Sequence, residues 1–240
     1  MNEVYSFHDE AMLSSYVQNH KIIRLFELDK LPHHLTDTYD FVSIPLNIGQ
    51  LSFREKQLEY FPTEPDATEK FDVVINTSNT WPSRSWPTTS WQELANALTS
   101  RGLSVAVVGK DVVSKVDEMT KAAPPLDGCV NLVNKLSLDQ TFYTIKKCGL
   151  FVTCQNGLSV LAGATDTQLI VLDQSIEWSK RAIFRNEDPH HRVEYVRGDC
   201  SLYCCSSFEC PKPDLSAQFN CIPVYNRVMS AVFRALGLSA

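Results

Sequence analysis

Short apolar runs alternate with polar, turn-forming stretches through the middle of this chain, in the rhythm of strands and helices taken in turn. Phe71-Asp72-Val73-Val74-Ile75 is dense in β-branched residues and breaks into Asn76-Thr77-Ser78-Asn79-Thr80, the composition of a buried strand running into a loop. Trp91, Leu94, Ala95 and Leu98 then recur at helical spacing, behind a Ser90 or Thr89 cap, until Arg101-Gly102 ends the run. Ser104 to Gly109 is a second apolar strand. Strand, long polar loop, helix and strand make a βαβ unit, which implies a parallel sheet.

The same alternation continues. Val112 to Ala122 reads as a helix stopped by Pro124-Pro125, and Cys129 to Val133 as a third strand. Ser137-Leu138-Asp139-Gln140 caps a helix running through Phe142 and Ile145 to Lys147. Leu150 to Thr153 is strand four, Cys154 to Ser159 a polar turn, Val160 to Ala164 a helix and Leu169 to Leu172 strand five. This order predicts an α/β fold with a doubly wound, Rossmann-like parallel sheet that binds ligands at the carboxyl ends of its strands. Asp173 to His191 is polar, with Glu177, Trp178, Lys180, Arg181 and Arg185 interleaved, and reads either as solvated surface or as a wall of the ligand cleft. Val228, Val232 and Leu236 share one face of a closing helix over 224–236.

Ahead of this lies a short N-terminal α/β region over residues 1–70. It has helical periodicity from Asp9 to Gln18, strands at Lys21 to Leu28 and Phe41 to Leu46, a turn at Asn47 to Gln50 and a linker from Phe61 to Lys70. The expected organisation is therefore this region followed by a nucleotide-binding domain over 71–240, which includes a cysteine-rich loop at 200–221.

Composition narrows the picture. With 240 residues, 44% hydrophobic and 21% charged, the chain carries enough apolar surface for a sizeable core. It has no apolar run of membrane-spanning length and opens on no signal peptide, so a cytoplasmic location is expected. A net charge of -6 argues against a nucleic-acid binder, while leaving room for a local basic pocket. Of eight cysteines, Cys129, Cys148 and Cys154 sit in apolar settings as small hydrophobes. The other five are Cys200, Cys204, Cys205, Cys210 and Cys221. Four thiolates on such a loop, Cys200, Cys204, Cys210 and Cys221, suit a structural zinc or iron ion. There is no paired C-x-x-C knuckle, so free thiols and disulfides are alternative readings, and nothing separates Cys204 from Cys205.

Several passages, taken in order, resemble glycosyltransferase family 9, whose members include the ADP-heptose:lipopolysaccharide heptosyltransferases. They are Arg84-Ser85-Trp86-Pro87 with Trp91-Gln92-Glu93-Leu94, the strand ending Val108-Gly109, Asn131-Leu132 through Ser137-Leu138, and Gln155-Asn156-Gly157-Leu158 before a small-residue helix. The resemblance covers roughly Phe71 to Leu172. It implies the C-terminal, nucleotide-sugar-binding half of a GT-B architecture, with Arg84 on the donor diphosphate stabilising the leaving group. It also implies phosphate held by backbone amides of the Gln155-Asn156-Gly157-Leu158 turn, and Lys135-Leu136 against base and ribose. The implied donor-binding set is Thr77, Ser78, Arg84, Ser85, Gly109, Lys110, Lys135, Leu136, Gln155, Asn156, Gly157 and Leu158. Gln155 stands where the family has aspartate, and Val160 where it usually has histidine.

The activity so implied is transfer of a sugar, heptose by family default, from a nucleotide diphosphate donor to an acceptor hydroxyl, with no metal required for the transfer itself. Some relatives carry an iron-binding cysteine finger. The full acceptor domain of the family has no counterpart of its size in the first seventy residues, so the general base is unassigned and a partner chain is one source for that domain. The rival reading is a degenerate, non-catalytic nucleotide-sugar-binding or protein-interaction module.

Overall fold

The computed structural model describes residues 3–6, 21–24, 60–78, 82–113, 120–121, 123–175, 183, 185, 188, 190–202, 205, 210–212 and 219–239. The chain divides into two compact units, Met1–Glu55 and Lys56–Ala240. In the first, β1 (Glu3–Ser6) and β2 (Lys21–Arg24) pair in parallel, Glu3 opposite Lys21. The helix expected from Asp9 to Gln18, the strand from Phe41 to Leu46 and the turn from Asn47 to Gln50 lie outside the described residues.

The second unit begins ahead of the expected boundary at residue 70, because the linker is tied down. Tyr60 donates its hydroxyl to Asp139 at 2.5 Å, and the Thr63 amide donates to the same carboxylate at 3.2 Å. The Tyr60 and Phe142 rings lie 5.1 Å apart. Residues 61–70 otherwise carry neither helix nor strand.

The core of this unit is a six-stranded, all-parallel sheet. Its strands are β3 (Val73–Asn76), β4 (Val105–Val107), β7 (Val130–Asn131), β8 (Leu150–Cys154), β9 (Gln168–Asp173) and β10 (Val193–Arg197). They lie in the order β10-β9-β8-β3-β4-β7. From β3 the chain winds outward through β4 and β7, then returns to β8 on the other side of β3 and winds outward again. The reversal leaves a crevice at the carboxyl ends of β3 and β8, where open α/β sheets bind ligands.

Alternation along each strand feeds two cores. Val73, Ile75, Val152, Cys154, Ile170 and Leu172 face one side, against Trp91, Leu94 and Leu98 of α1 (Thr88–Thr99) and Val228 and Val232 of α4 (Tyr225–Ala235). Val74, Phe151, Leu169 and Val171 face the other, with Ile145 of α2 (Leu138–Lys147) and Ala162 of α3 (Gly157–Gly163). Each fully buried aliphatic or aromatic side chain contributes about 1.5–3 kcal/mol, so the strands are held chiefly by this two-sided burial.

Three elements differ from the sequence reading. The helix expected over 112–122 is replaced, at its described ends, by an antiparallel pair, β5 (Val112–Val113) with β6 (Thr120–Lys121). β-Branched Val112, Val113 and Thr120 favour extended backbone, and Asp111 accepts from the Ala123 amide, drawing the two ends of the segment together. The expected Thr89 or Ser90 cap of α1 is absent: Pro87 occupies the N-cap and no side chain caps the helix, since proline's fixed φ already starts it. The strand β10 was not expected, because Glu194 and Arg197 interrupt its apolar run. Its pairing with β9 supplies what its sequence does not.

Candidate functional site

The crevice is built on one buried asparagine. Asn76 ends β3, is fully buried, and donates Nδ2 to Ser78 Oγ and to the Val108 carbonyl, each at 2.8 Å. Its Oδ1 accepts from Thr153 Oγ1 at 3.2 Å and from Asn156 Nδ2 at 2.6 Å. One side chain thereby ties the ends of β3, β4 and β8. Gly109 sits beside it at φ +141°, where a Cβ would lie 2.7 Å from Asn76 Nδ2 and 2.8 Å from Ser78 Oγ. Both the backbone conformation and the close approach require glycine.

Asn156 completes this network. Its Nδ2 also donates to the Ser78 carbonyl at 2.9 Å, and its Oδ1 accepts from the amides of Leu158 and Ser159 at 2.9 and 3.4 Å. The Asn156 amide donates to Ser159 Oγ at 3.3 Å, closing a capping box on α3. The turn that the resemblance assigned to phosphate is therefore occupied by its own side chain. Asn156 spends both amide hydrogens and its carbonyl oxygen on protein, and the Leu158 amide is likewise engaged, whereas Gly157 takes no part in these bonds. A serine or threonine at this position has no second arm with which to reach β3, so the lock follows from the asparagine.

Next to this network lies a cavity of about 440 Å³ lined by Ser78, Gly109, Lys110, Leu136, Leu138, Thr141, Gly157 and Leu158. Six of the residues expected at the donor site thus meet in one place: Ser78, Gly109, Lys110, Leu136, Gly157 and Leu158. Lys110 brings the positive charge, the three leucines an apolar wall, and Ser78 and Thr141 hydroxyls. Leu138 and Thr141 were missed by sequence reasoning. Their spacing, three apart in the first turn of α2, was legible, whereas the 54% exposure of Leu138 appears only in the fold.

The other expected residues are not part of the lining of this cavity. Thr77 is buried one residue beyond β3, and Lys135 is exposed. Arg84 is buried at the end of a 3₁₀ turn, Pro82–Arg84, and Ser85 follows it. That turn is pinned to the sheet through Ser83, whose Oγ lies 3.2 Å from Ser175 Oγ beyond β9. Trp86 secures the following segment by donating Nε1 to the Pro223 carbonyl at 2.8 Å and meeting Trp91 edge-on. The Arg84 turn and the Asn156 turn consequently share the carboxyl edge of the sheet. Gln155, in the family aspartate's place, is buried and donates Nε2 to Asp173 Oδ1 of β9 at 2.8 Å. Val160, in the histidine's place, is 44% exposed.

No disulfide joins the seven described cysteines. Burial pushes the Cys221 thiol up to about 11, reinforced by Cys200, Cys205 and Cys210, which makes these four neighbours. Cys204 lies outside the described residues. Among the described residues no three such side chains take up metal-binding geometry. No described helix is long and apolar enough to cross a membrane.

Doubly wound topology, with a cavity at its reversal point that carries Lys110 and an apolar wall among its described residues, defines an α/β protein of the Rossmann-like class. Residues 4–174 match the glycosyltransferase family 9 (heptosyltransferase) model, and the chain belongs to that family. No curated protein matches the sequence. Among solved structures, the dodecameric iron-containing heptosyltransferase TibC in complex with ADP-D-β-D-heptose is similar at TM-score 0.63 and 19% identity, over 82% of this chain and 53% of that one. TibC from enterotoxigenic E. coli H10407 aligns at TM-score 0.66 and 15% identity, over 98% and 68%. A family 9 glycosyltransferase from Veillonella parvula DSM 2008 aligns at 0.59 and 13%, over 95% and 65%. The chain thus spans about half to two thirds of the length of these structures, and the likeness at such identities is one of fold.

Proposed function

We propose that this chain is the donor-binding part of a glycosyltransferase that moves heptose from a nucleoside diphosphate to an acceptor hydroxyl. The observation that carries this reading is the 440 Å³ cavity at the sheet's reversal point, where Lys110, Ser78, Gly157 and three leucines converge. The base packs on Leu136, Leu138 and Leu158, and the diphosphate lies toward Lys110, Ser78 and Gly157. The acceptor oxygen attacks the anomeric carbon as the bond to the diphosphate oxygen breaks, and the acceptor proton passes to a general base that is unassigned. Charge building on the departing diphosphate is offset by Lys110 from one side and Arg84 from the other, the guanidinium offering two parallel donors. With these two cations in that role, no metal is invoked for the transfer itself. A partner chain is one source for the acceptor domain, and the reaction is assigned to the cytoplasm.

Cys200, Cys210 and Cys221, with Cys204 or Cys205, are proposed to hold a structural zinc or iron ion. The donor set fits in chemistry, with Cys205 the described member of the pair that interacts with Cys221, and binding would have to draw the sulfurs together, since the described thiols do not converge as they stand. Elemental analysis of the purified chain tests this: about one metal per chain supports it, and a metal-free folded protein refutes it.

Titration with ADP and ADP-heptose, followed by ADP release in the presence of acceptor, tests the enzyme. Lys110→Ala should weaken ADP binding by roughly tenfold. Arg84→Lys keeps the charge but loses the two-oxygen fork, and should retain binding while turnover falls. Binding without turnover would mark a donor-binding module instead, and no binding of either ligand refutes both.

A further inference from the structure

Past the carboxyl ends of β3, β8 and β9, the sheet edge carries buried polar side-chain atoms without hydrogen-bond partners. Gln174, one residue past β9, has no exposed surface, and neither its Nε2 nor its Oε1 has a hydrogen-bond partner. Gln155, one residue past neighbouring β8, uses Nε2 on Asp173 but leaves Oε1 unpartnered. Thr77, one residue past β3, leaves Oγ1 unpartnered. Three adjacent strands therefore end in side chains with unused hydrogen-bonding capacity, whereas a folded protein pairs the great majority of such groups. Gln174 lies between two anchored neighbours: Asp173 receives Gln155, and Ser175 meets Ser83 beside Arg84. Its two sequence neighbours thus tie it to the residue before Asn156 on one side and to the residue before Arg84 on the other.

We propose that Gln174, with Gln155 beside it, reads the hydroxyls of the sugar carried by the nucleotide, and so sets which sugar is accepted. This rests on the nucleotide-sugar reading of the site. The inventory of unused groups selects the ligand part. Both glutamines offer an acceptor oxygen, which a diphosphate, having no donor at neutral pH, cannot satisfy. A sugar hydroxyl both donates and accepts, and a neighbouring pair of hydroxyls matches the two arms of the Gln174 carboxamide. A nucleobase edge also pairs with a carboxamide, but the apolar wall suited to the base lies toward β4, three strand spacings or ~14 Å from β9. The unpartnered atoms are closed off from solvent in the ligand-free chain, and reading the sugar requires that they become reachable when it enters.

Gln174→Met keeps the length of the side chain and removes its amide. Calorimetric titration of the full chain with ADP and with ADP-heptose, together with the melting temperature of the ligand-free protein, separates the outcomes. The variant is expected to bind ADP as the wild type does, to bind ADP-heptose roughly tenfold more weakly, and to melt no lower than the wild type. Equal loss for both ligands, no loss for either, or a fall in melting temperature overturns the proposal. Failure of the wild type to bind ADP at all is a different result, which removes the nucleotide reading and this inference with it. Loss confined to the comparison between the two ligands bears on Gln174 alone.

Discussion

Two stretches of the same sheet edge treat their polar groups in opposite ways. Across β3, β4 and the start of α3, Asn76 and Asn156 spend every amide atom on the protein, and Gly109 packs against them. Across β8 and β9, Gln155 and Gln174 leave amide atoms bonded to nothing. Saturated networks in a dry interior are rigid and costly to disturb, while unsaturated ones lower the stability of the ligand-free fold and reward whatever completes them. The first region is a scaffold that holds the cavity open, and the second is where a ligand gains most from contact.

Substitutions should sharpen that contrast, beginning with the scaffold. Gly109→Ala combines a strained φ with a Cβ driven into Asn76 and Ser78. It should cost about 4 kcal/mol of unfolding free energy, read by urea denaturation, and abolish nucleotide binding. Asn76→Ala leaves the Val108 carbonyl without its side-chain donor and Asn156 Nδ2 with the Ser78 carbonyl alone. It should cost about 3 kcal/mol, with faster hydrogen exchange at the Leu158 and Ser159 amides; unchanged exchange there would show that Asn156 caps α3 without help. Gln174→Met, on the unsaturated side, should change sign and stabilise the ligand-free chain by about 1 kcal/mol. The smallest effect belongs at the far end of the sheet. Asp72 accepts from the Ser104 hydroxyl and amide, which hold its carboxyl below the ordinary range. Its contribution is complete above the ordinary carboxylate range and is lost as pH falls through the lowered value. Because Asp72 is exposed, Asp72→Asn should cost under about 0.5 kcal/mol at neutral pH and flatten the acid limb of the stability profile. A steeper acid limb in the variant would place the responsible carboxylate elsewhere.

Strands that are buried on both faces announce themselves by continuous apolar runs, and β3, β4, β8 and β9 were legible for that reason. The Ser137 cap of α2 was legible too, because a capping box is local chemistry and Gln140 stands three residues on. β10 was not, since an edge strand with Glu194 and Arg197 carries its evidence in its partner. The 112–122 segment misled because its periodicity fits a helix while its ends pair as strands. At the site, Lys110, Leu136 and Leu158 were legible through the family resemblance. The saturation of Asn156 was not, because it depends on Asn76, eighty residues earlier in the chain.

From its residues alone this protein was bound to form a doubly wound sheet with a polar edge at its carboxyl ends, since apolar periodicity and turn chemistry act within a few residues. Which polar groups on that edge are consumed and which are left over was decided only on folding. Asn76 meets Asn156, and Gln155 meets Asp173, through strand adjacency. Hydrogen bonding depends on distances of about 3 Å, which only the packed chain defines.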